Sequence, residues 1–218
     1  MTTLLIATRN AHKVGEIQAF LGPGFRCRAL LKEFPAAPVP IEDADTFAGN
    51  AARKAESLAV WLAHSAAARE LESAHPFVLA DDSGLEVDAL GGAPGIHSAR
   101  FAALDTGADG NSPDAANNAK LLRLLAGVPQ AKRTARFRCA LAVVPVGAGG
   151  SRQIFEGACE GWLEVAPRGQ GGFGYDPLFI PVGWEQSFAE LGEEVKNRIS
   201  HRSQALAKLR AWFGEPAS

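Results

Sequence analysis

The feature of this sequence that most limits its fold is the alternation of short apolar runs with segments of helical spacing. An apolar run at Thr3–Ala7 precedes a segment in which apolar residues recur at helical intervals as far as Leu21. A second helical segment, which begins near Asp45 or Thr46, precedes the apolar run Phe77–Ala80. Strands that alternate with helices are typical of α/β proteins. The sequence therefore predicts an α/β fold.

The middle of the chain adds strands that follow one another without an intervening helix. Strands are predicted at Ala135–Val144, Gln153–Ala158 and Leu178–Ile180. One further helix is predicted to start at Ser112-Pro113-Asp114. A final helix is predicted to end near Trp212. We therefore expect a mixed sheet rather than a purely parallel one. The chain has 218 residues and no stretch that resembles a linker, so we expect a single domain over residues 1–218.

The composition excludes several functional classes. Apolar residues make up 47% of the chain and charged residues 21%, values typical of a folded globular protein. The formal net charge of −2 gives no general attraction to nucleic acid, and no apolar run is long enough to span a bilayer. Three well-separated cysteines favour a reducing compartment over a disulfide framework. We therefore expect a cytoplasmic protein that binds neither nucleic acid nor membranes.

The first candidate site is the polar loop between the first strand and the first helix. Its residues are Thr8, Arg9, Asn10, Ala11, His12 and Lys13. Backbone amides at a helix N-terminus and the helix dipole together favour phosphate binding, and Lys13 would add a mobile cation. The alternative is an ordinary polar loop in which Asn10 caps the helix.

The second candidate site surrounds the end of the apolar run Phe77–Ala80. Asp81-Asp82-Ser83-Gly84 follows this run directly, and ligands of α/β proteins gather at the carboxyl ends of strands. Paired carboxylates there can hold magnesium or take a proton from a bound water. Glu42, Asn50 and Lys54 are further candidates, because positions 50 and 54 share one face of the second helix. The alternatives are a tight turn at Asp81–Gly84 and a solvated helix face.

The third candidate site combines a glycine-rich loop, Gly169–Pro177, with residues from the last quarter of the chain. Its candidates are Phe173, Gly174, Tyr175, Asp176, Lys196, His201 and Arg202. The loop offers rings on which a base can stack and an acid that can accept its hydrogen bonds. Lys196 suits a phosphate, while His201 and Arg202 offer donors to a carbonyl oxygen. The alternatives are a surface loop with a buried tyrosine and a solvated helix face.

Six ordered motifs are shared with one known family. They are Ala7-Thr8-Arg9-Asn10 with Lys13 and Glu16; Thr46-Phe47 with Asn50-Ala51 and Lys54-Ala55; Ala80–Leu85 with Val87–Leu90; Pro94-Gly95 with Ser98-Ala99-Arg100; Gly172–Pro177; and Ser200-His201-Arg202. These motifs span residues 7 to 202, nearly the whole chain. In this order they resemble the inosine/xanthosine triphosphate pyrophosphatase family.

The resemblance carries expectations about fold and reaction. It implies an elongated mixed β-sheet flanked by helices, with two lobes and a central active-site cleft, in a homodimer that depends on Mg²⁺. The implied reaction is hydrolysis of non-canonical purine nucleoside triphosphates (ITP, dITP and XTP) to the monophosphate and pyrophosphate. Such an enzyme cleanses the nucleotide pool.

The resemblance also implies roles for the phosphate and metal residues. The Thr8–Lys13 loop would hold the triphosphate, and Lys54 and Lys196 would neutralise its charge. Glu42 and Asp82 would bind Mg²⁺. Asp82 would also accept the proton of the attacking water.

The remaining implied roles concern the base. Ser83 would touch the substrate, and Phe173–Asp176 would enclose the base together with His201 and Arg202. Selection against adenine follows if the pocket donates hydrogen bonds to the six-position oxygen and offers no acceptor for an amino group. A guanine two-amino group would have to be excluded separately.

Two features depart from the family pattern. Gly49 stands where the family often has glutamate, so a carboxylate that could complete a capping box with Thr46 or assist the metal site is missing. The stretch Trp61–Pro76 also looks longer than usual, which bears on the length of the second helix and on any dimer contact there.

Two other functions compete with this interpretation. One is a pyrophosphatase that acts on modified pyrimidine nucleotides. The other is a nucleotide-sensing protein without catalysis, which should have lost Glu42, Asp81 or Asp82; all three are present.

Overall fold

The computed structural model describes residues 1–8, 11–65, 71, 76–147 and 151–214. The strands are β1 (Thr2–Ile6), β2 (Phe25–Ala29), β3 (Phe77–Val87), β4 (Thr134–Pro145), β5 (Gln153–Leu163) and β6 (Phe179–Pro181). In this part of the chain they form one six-stranded sheet in the order β2-β1-β3-β4-β5-β6. Strand β1 pairs parallel with β2 and β3, whereas β5 pairs antiparallel with β6. The predicted mixed sheet is therefore confirmed.

Helices flank this sheet. They are α1 (Ala11–Leu21), α2 (Leu30–Glu33), α3 (Phe47–His64), α4 (Asp114–Leu124), α5 (Phe188–Ile199) and α6 (His201–Trp212). Helices α1, α3, α4 and α6 confirm the helices that the apolar spacing predicts. The sequence interpretation missed β2, α2 and α5. Within α5, Gly192 has φ +77°, outside helical geometry, and this break obscures the helical spacing.

Strand β3 is longer than the sequence interpretation allowed. Asp81–Gly84 lies inside its 11 residues, so the predicted strand end and the alternative turn at this position are both wrong. The strand continues because Leu85 and Val87 are buried and maintain the two-residue alternation beyond the acids. Asp81 and Asp82 nevertheless lie just beyond the carboxyl end of the neighbouring strand β1. At that end the amide of Ala7 donates to the carbonyl of Leu79 at 2.8 Å.

The start of α3 explains one departure from the family pattern. Thr46 caps this helix as the sequence predicts, because its Oγ1 accepts from the Gly49 amide at 3.0 Å. A Cβ built on Gly49 would lie 2.8 Å from the Cβ of Ala44. Real Cβ atoms do not approach that closely, so a glutamate here would displace the segment that leads into the helix.

Other predicted boundaries are shifted or fall outside the described residues. Helix α4 begins at Asp114, one residue later than predicted, because the Ser112 hydroxyl accepts from the amide of Ala103 (2.8 Å) instead of capping the helix. Helix α3 ends at His64. Most of the long segment that follows it lies outside the described residues.

The chain divides into two compact units, each made of more than one segment. The first unit contains Met1–Asp82, Ala140–Glu156 and Ala205–Ser218, and the second contains Ser83–Cys139 and Gly157–Gln204. In the first unit, Leu4 and Leu5 of β1 are fully buried. The core of the second unit includes Phe137 and Phe179, whose ring centroids lie 4.7 Å apart. The expected single domain and the expected cleft between lobes stay predictions.

The described helices also bear on membrane insertion. Among residues that the structure describes, no helix combines the length and the apolar character needed to cross a bilayer.

A capping box at the start of α5 provides a test of local stability. Ser187 Oγ accepts from the Glu190 amide (3.3 Å), Glu190 Oε2 accepts from the Ser187 amide (2.8 Å), and the Ser187 hydroxyl donates to the Arg168 carbonyl (2.7 Å). We expect Ser187→Ala to lower the free energy of unfolding by about 1–2 kcal/mol, measured by urea denaturation. Ser151→Ala, at an exposed position, is the matched control. A loss no larger than that of the control would contradict the capping role.

Candidate functional site

The predicted loop Thr8–Lys13 ends earlier in the structure, because α1 begins at Ala11. Thr8 follows β1, and Lys13 lies in the first turn of α1. Four predicted residues lie outside the described part of the chain, wholly or in their side chains: Arg9, Asn10, Ala11 and His12. The Lys13 ammonium lies 2.6 Å from Asp81 Oδ1, so this predicted mobile cation is held by an ion pair.

A carboxylate–lysine cluster forms the chemical centre of the first unit. It consists of Lys13, Glu42, Asn50, Lys54, Asp81 and Asp82. The Lys54 ammonium lies 3.1 Å from Glu42 Oε1 and 3.3 Å from Asp82 Oδ1. It also donates to the backbone carbonyl of Asp81 at 3.0 Å. Asn50 is fully buried and donates to Asp82 Oδ2 at 3.1 Å. The structure therefore brings Glu42, Lys54 and Asp82 together, and Asn50 holds Asp82 in place.

The two neighbouring acids of β3 have different partners. Successive side chains of a strand point to opposite faces of the sheet. Asp81 accordingly pairs with Lys13 of α1, whereas Asp82 pairs with Asn50 and Lys54 of α3. The carboxylate that shares the Lys54 ammonium with Asp82 is that of Glu42.

Burial and neighbouring charges shift the pKa values of Asp82 and Lys54. Burial raises the pKa of Asp82 above its ordinary value, and the Lys54 ammonium and the Asn50 amide offset this only in part. Burial by itself would lower the pKa of Lys54, but the charges of Asp82 and Glu42 outweigh it and raise that pKa. Lys54 therefore stays protonated, while Asp82 has a stronger affinity for a proton than an ordinary aspartate has.

The second unit contains a pocket of about 150 Å³, here called the aromatic pocket. It is lined by Ser83, Gly84, Ser98, Ala99, Asp114, Asn117, Phe137, Phe173, Gly174, Tyr175, Asp176, Lys196, His201 and Arg202. Every residue that the sequence places around a base is among them. Lys196, which the sequence assigns to a phosphate, lines the same pocket.

Asp176 organises the loop that forms one wall of the aromatic pocket. It is only 1% exposed, and its Oδ2 accepts from the Phe173 amide (2.9 Å) and pairs with the Lys196 ammonium. The same ammonium lies 4.1 Å from the centroid of the Phe173 ring. At least one oxygen of Asp176 is therefore occupied in positioning Phe173 and Lys196, a role that the sequence interpretation did not foresee.

Other walls of the aromatic pocket are held by stacking and hydrogen bonds. The His201 ring stacks on Phe137, with centroids 4.9 Å apart and planes 12° apart. The Tyr175 hydroxyl donates to the Ser98 carbonyl at 2.8 Å, and burial raises the pKa of Tyr175, so this hydroxyl stays protonated. Arg202 donates to the Ser83 hydroxyl at 3.3 Å. These contacts fix the directions of the polar groups that face the pocket.

Sequence reasoning gave no role to several residues that line the aromatic pocket or support it, among them Phe137, Asp114, Asn117 and Asn118. Phe137 lies in an apolar strand, and its spacing identifies it only as core. Asp114 and Asn117 lie in the first turns of α4, where polar residues are common at helix starts. Asn118, whose Nδ2 donates to the Gly174 carbonyl at 2.9 Å, follows them. Only the helical spacing of positions 114, 117 and 118 could have indicated that they face one direction.

The oxygen donors of the carboxylate–lysine cluster fit a hard divalent cation. Its carboxylates outnumber its lysines, so the cluster carries an excess of negative charge. Mg²⁺ takes one or two carboxylates and completes its coordination with water and phosphate oxygens. Among the described residues, no group of three or more His, Cys, Asp or Glu side chains could hold a metal by itself. Glu42 and Asp82 therefore fit the one or two carboxylates that a protein commonly gives to Mg²⁺.

Comparison with known proteins extends these observations. The model of the Ham1 family matches residues 4–212 of this chain. A protein from Geobacillus kaustophilus named dITP/XTP pyrophosphatase is 51% identical over 211 residues, which cover 96% of this chain and 93% of that protein. A protein of the same name from Desulforamulus reducens is 47% identical over 205 residues, which cover 94% and 92% of the two chains.

Solved structures agree with this comparison. The Staphylococcus aureus Ham1 protein has 32% sequence identity and a TM-score of 0.81, and the alignment covers 98% of each chain. The Mycobacterium abscessus protein described as a nucleoside-triphosphatase and dITP/XTP pyrophosphatase has 37% identity and a TM-score of 0.69. That alignment covers 95% of this chain and 98% of the other.

The raised pKa of Asp82 predicts a pH-dependent effect of neutralising it. Because this pKa lies above the ordinary value of 3.8, the folded protein binds the proton more tightly than the unfolded chain does. Ionised Asp82 therefore costs stability at neutral pH, and this cost disappears as the pH falls towards 3.8. We expect Asp82→Asn to unfold at higher urea concentration than the wild type at pH 7 in EDTA, with a smaller difference at pH 4.5.

The matched control for this experiment is Asp43→Asn, which neutralises an exposed acid of the same unit. It should show no such gain at pH 7. An Asp82→Asn variant that is less stable than the wild type at pH 7 would contradict the prediction.

Proposed function

The chain belongs to the Ham1 family, and from this premise we propose that it hydrolyses non-canonical purine nucleoside triphosphates (ITP, dITP and XTP) to the monophosphate and pyrophosphate. The relatives named dITP/XTP pyrophosphatase support this substrate class. The observation that carries the proposal lies on β3. There Asp82 of the carboxylate–lysine cluster is followed directly by Ser83 of the aromatic pocket.

The first unit supplies the phosphate chemistry in this proposal. The Thr8–Lys13 loop and Lys54 hold the triphosphate, because a polyanion needs cations and the amides of a helix start. Asp82 accepts the proton of the water that cleaves the bond between the α- and β-phosphates. The raised pKa of Asp82 supports this role, since a stronger affinity for a proton makes a better acceptor.

A divalent metal is part of the same proposal, as is general for enzymes that cleave nucleoside triphosphates. We propose that the metal is Mg²⁺ and that Glu42 and Asp82 hold it. When bound, the ion would offset phosphate charge and acidify a coordinated water. Lys54 keeps these two carboxylates close together, and Asn50 keeps Asp82 in one orientation.

The second unit supplies base recognition. Phe173 and Tyr175 offer ring surfaces, and His201 and Arg202 offer donors to the six-position oxygen of hypoxanthine or xanthine. Adenine carries an amino group at this position. If the pocket offers only donors there, neither this amino group nor the donors of the protein find a hydrogen-bond acceptor. Lys196 pairs with Asp176 in the aromatic pocket. We propose that its ammonium also neutralises part of the charge of the triphosphate.

Three further properties are proposed with the reaction. The two units act as one catalytic domain, which the family match over residues 4–212 supports. The protein works as a homodimer, as the family resemblance implies, and sedimentation of the purified protein tests this. It works in the cytoplasm and without nucleic acid, in line with its net charge of −2 and its three cysteines.

The reaction is tested by the products it releases. We expect the purified protein with Mg²⁺ to release pyrophosphate from inosine and xanthosine triphosphates, and little from adenosine or guanosine triphosphate. Pyrophosphate and orthophosphate are assayed separately. Asp82→Asn should lower turnover at least about a hundredfold, because it removes the proton acceptor; Asp43→Asn should not.

Other outcomes of this assay would reject parts of the proposal. Orthophosphate as the product would mean cleavage at the γ-phosphate. A lack of product from all four nucleotides would favour a binding protein without catalysis. Wild-type turnover by Asp82→Asn would move the proton acceptor to another residue.

Base recognition by Arg202 predicts a change in selectivity. Arg202→Ala removes a charged donor, so the ratio of kcat/KM for inosine over adenosine triphosphate should fall about tenfold or more. Arg198→Ala, an exposed arginine of α5, is the matched control. An unchanged ratio for Arg202→Ala would remove this residue from base recognition.

A further inference from the structure

Helix α4 holds one peptide segment of the aromatic pocket from both sides. Asp114 Oδ2 accepts from the Gly174 amide at 2.7 Å. Asn118 Nδ2 donates to the Gly174 carbonyl at 2.9 Å. Because these side chains are four positions apart, they project from the same face of α4. The two hydrogen bonds have opposite polarity, so they fix both the position and the direction of Gly174.

The segment that is held carries an exposed ring. Phe173 is 55% exposed, so apart from the Lys196 ammonium over its ring little packing holds its side chain in place. Gly174 has φ +61°, a conformation that side-chain-bearing residues rarely adopt. A backbone of glycines has many alternative conformations, so the direction of Phe173 depends on hydrogen bonds that restrain this backbone.

The other restraints act on the neighbours of Gly174: the Tyr175 hydroxyl donates to the Ser98 carbonyl, and Asp176 pairs with Lys196. Asp176 accepts from the Phe173 amide, and the Asp176 amide donates to the Phe173 carbonyl at 3.2 Å. These bonds close a turn of four residues but do not fix where the turn lies. Asp114 and Asn118 connect the turn to α4. Asp114 lies 60 residues before Gly174 in the sequence.

The two side chains differ in burial. Asn118 is only 9% exposed, and its buried Oδ1 has no hydrogen-bond partner among the described residues. A buried amide that satisfies only its donor side costs stability. Asp114 is exposed, so its carboxylate can be changed without disturbing a core.

We propose that Asp114 and Asn118 are positioning residues that set base selectivity by holding Gly174, and with it the Phe173 ring, in the aromatic pocket. This role rests on the proposed function. Neither residue needs to touch the base. What matters is an acceptor at position 114 and a donor at position 118.

The requirement for an acceptor gives a sharp pair of variants. Asp114→Asn keeps an oxygen that can accept from the Gly174 amide, whereas Asp114→Ala has none. We expect Asp114→Ala to reduce the preference for inosine over adenosine triphosphate about tenfold, through a higher KM for inosine triphosphate with little change in kcat. Asp114→Asn should keep most of the preference, and Asp109→Ala controls for the lost charge at an exposed position of the preceding loop.

A second measurement reports the hydrogen bonds without any activity. Amide hydrogen exchange of the peptide that covers Phe173–Tyr175 should be faster in Asp114→Ala than in the wild type, and unchanged in Asp109→Ala. Asn118→Leu, which has similar size and no donor, should also accelerate exchange in this peptide. The thermal unfolding of each variant is recorded, and Asp114→Ala carries the test if Asn118→Leu folds poorly.

The outcomes separate this role from the proposed function. Faster exchange with unchanged selectivity would overturn the positioning role and leave the reaction intact. Loss of selectivity in Asp114→Asn as well would also overturn it, because charge rather than an acceptor would then be needed. A wild-type protein that does not cleave inosine triphosphate would reject the proposed function itself, whatever the exchange rates.

Discussion

The arrangement of the first unit depends on one buried ammonium group. Lys54 joins Glu42, which lies in a segment without regular structure, to Asp82 and to the backbone of Asp81 in the sheet. Removing a charge from water is costly unless partners surround it, so the buried lysine requires these oxygens to converge. Burial of this region also raises the pKa of Asp82, and the Lys54 charge and the Asn50 hydrogen bond offset that effect only in part.

The second unit achieves its geometry by a different means. Its polar side chains are used largely to hold backbone: Asn117 bonds to the Ala99 carbonyl and the Ala102 amide, and the Tyr175 hydroxyl bonds to the Ser98 carbonyl. Gly84 allows this packing, since a Cβ there would lie 2.3 Å from Ser98 Oγ. Irregular segments thereby gain a rigidity that glycine-rich sequence alone does not provide.

The sequence predicted most of this arrangement where local signals were strong. The start of α3 was predicted near Asp45 or Thr46 and lies at Thr46, and the residues of the glycine-rich loop were assigned to one pocket through the family resemblance. The extent of β3 was not predicted, because Asp81–Gly84 has the composition of a turn; pairing with neighbouring strands and the burial of Leu85 and Val87 keep it extended. Phe137 and Asp114 were missed because their contacts come from residues distant in sequence.

The uninterrupted course of β3 has a consequence for how this protein can vary. Each side chain of the strand faces the side opposite to that of its neighbour, so inserting or deleting one residue before Asp81 would exchange the environments of Asp81 and Asp82. Only one of the positions that Lys13 and Lys54 contact would then still hold an aspartate, so one of the two ammonium groups would lose its acid. Loops on either side can lengthen or shorten, but this strand tolerates substitution only at constant length.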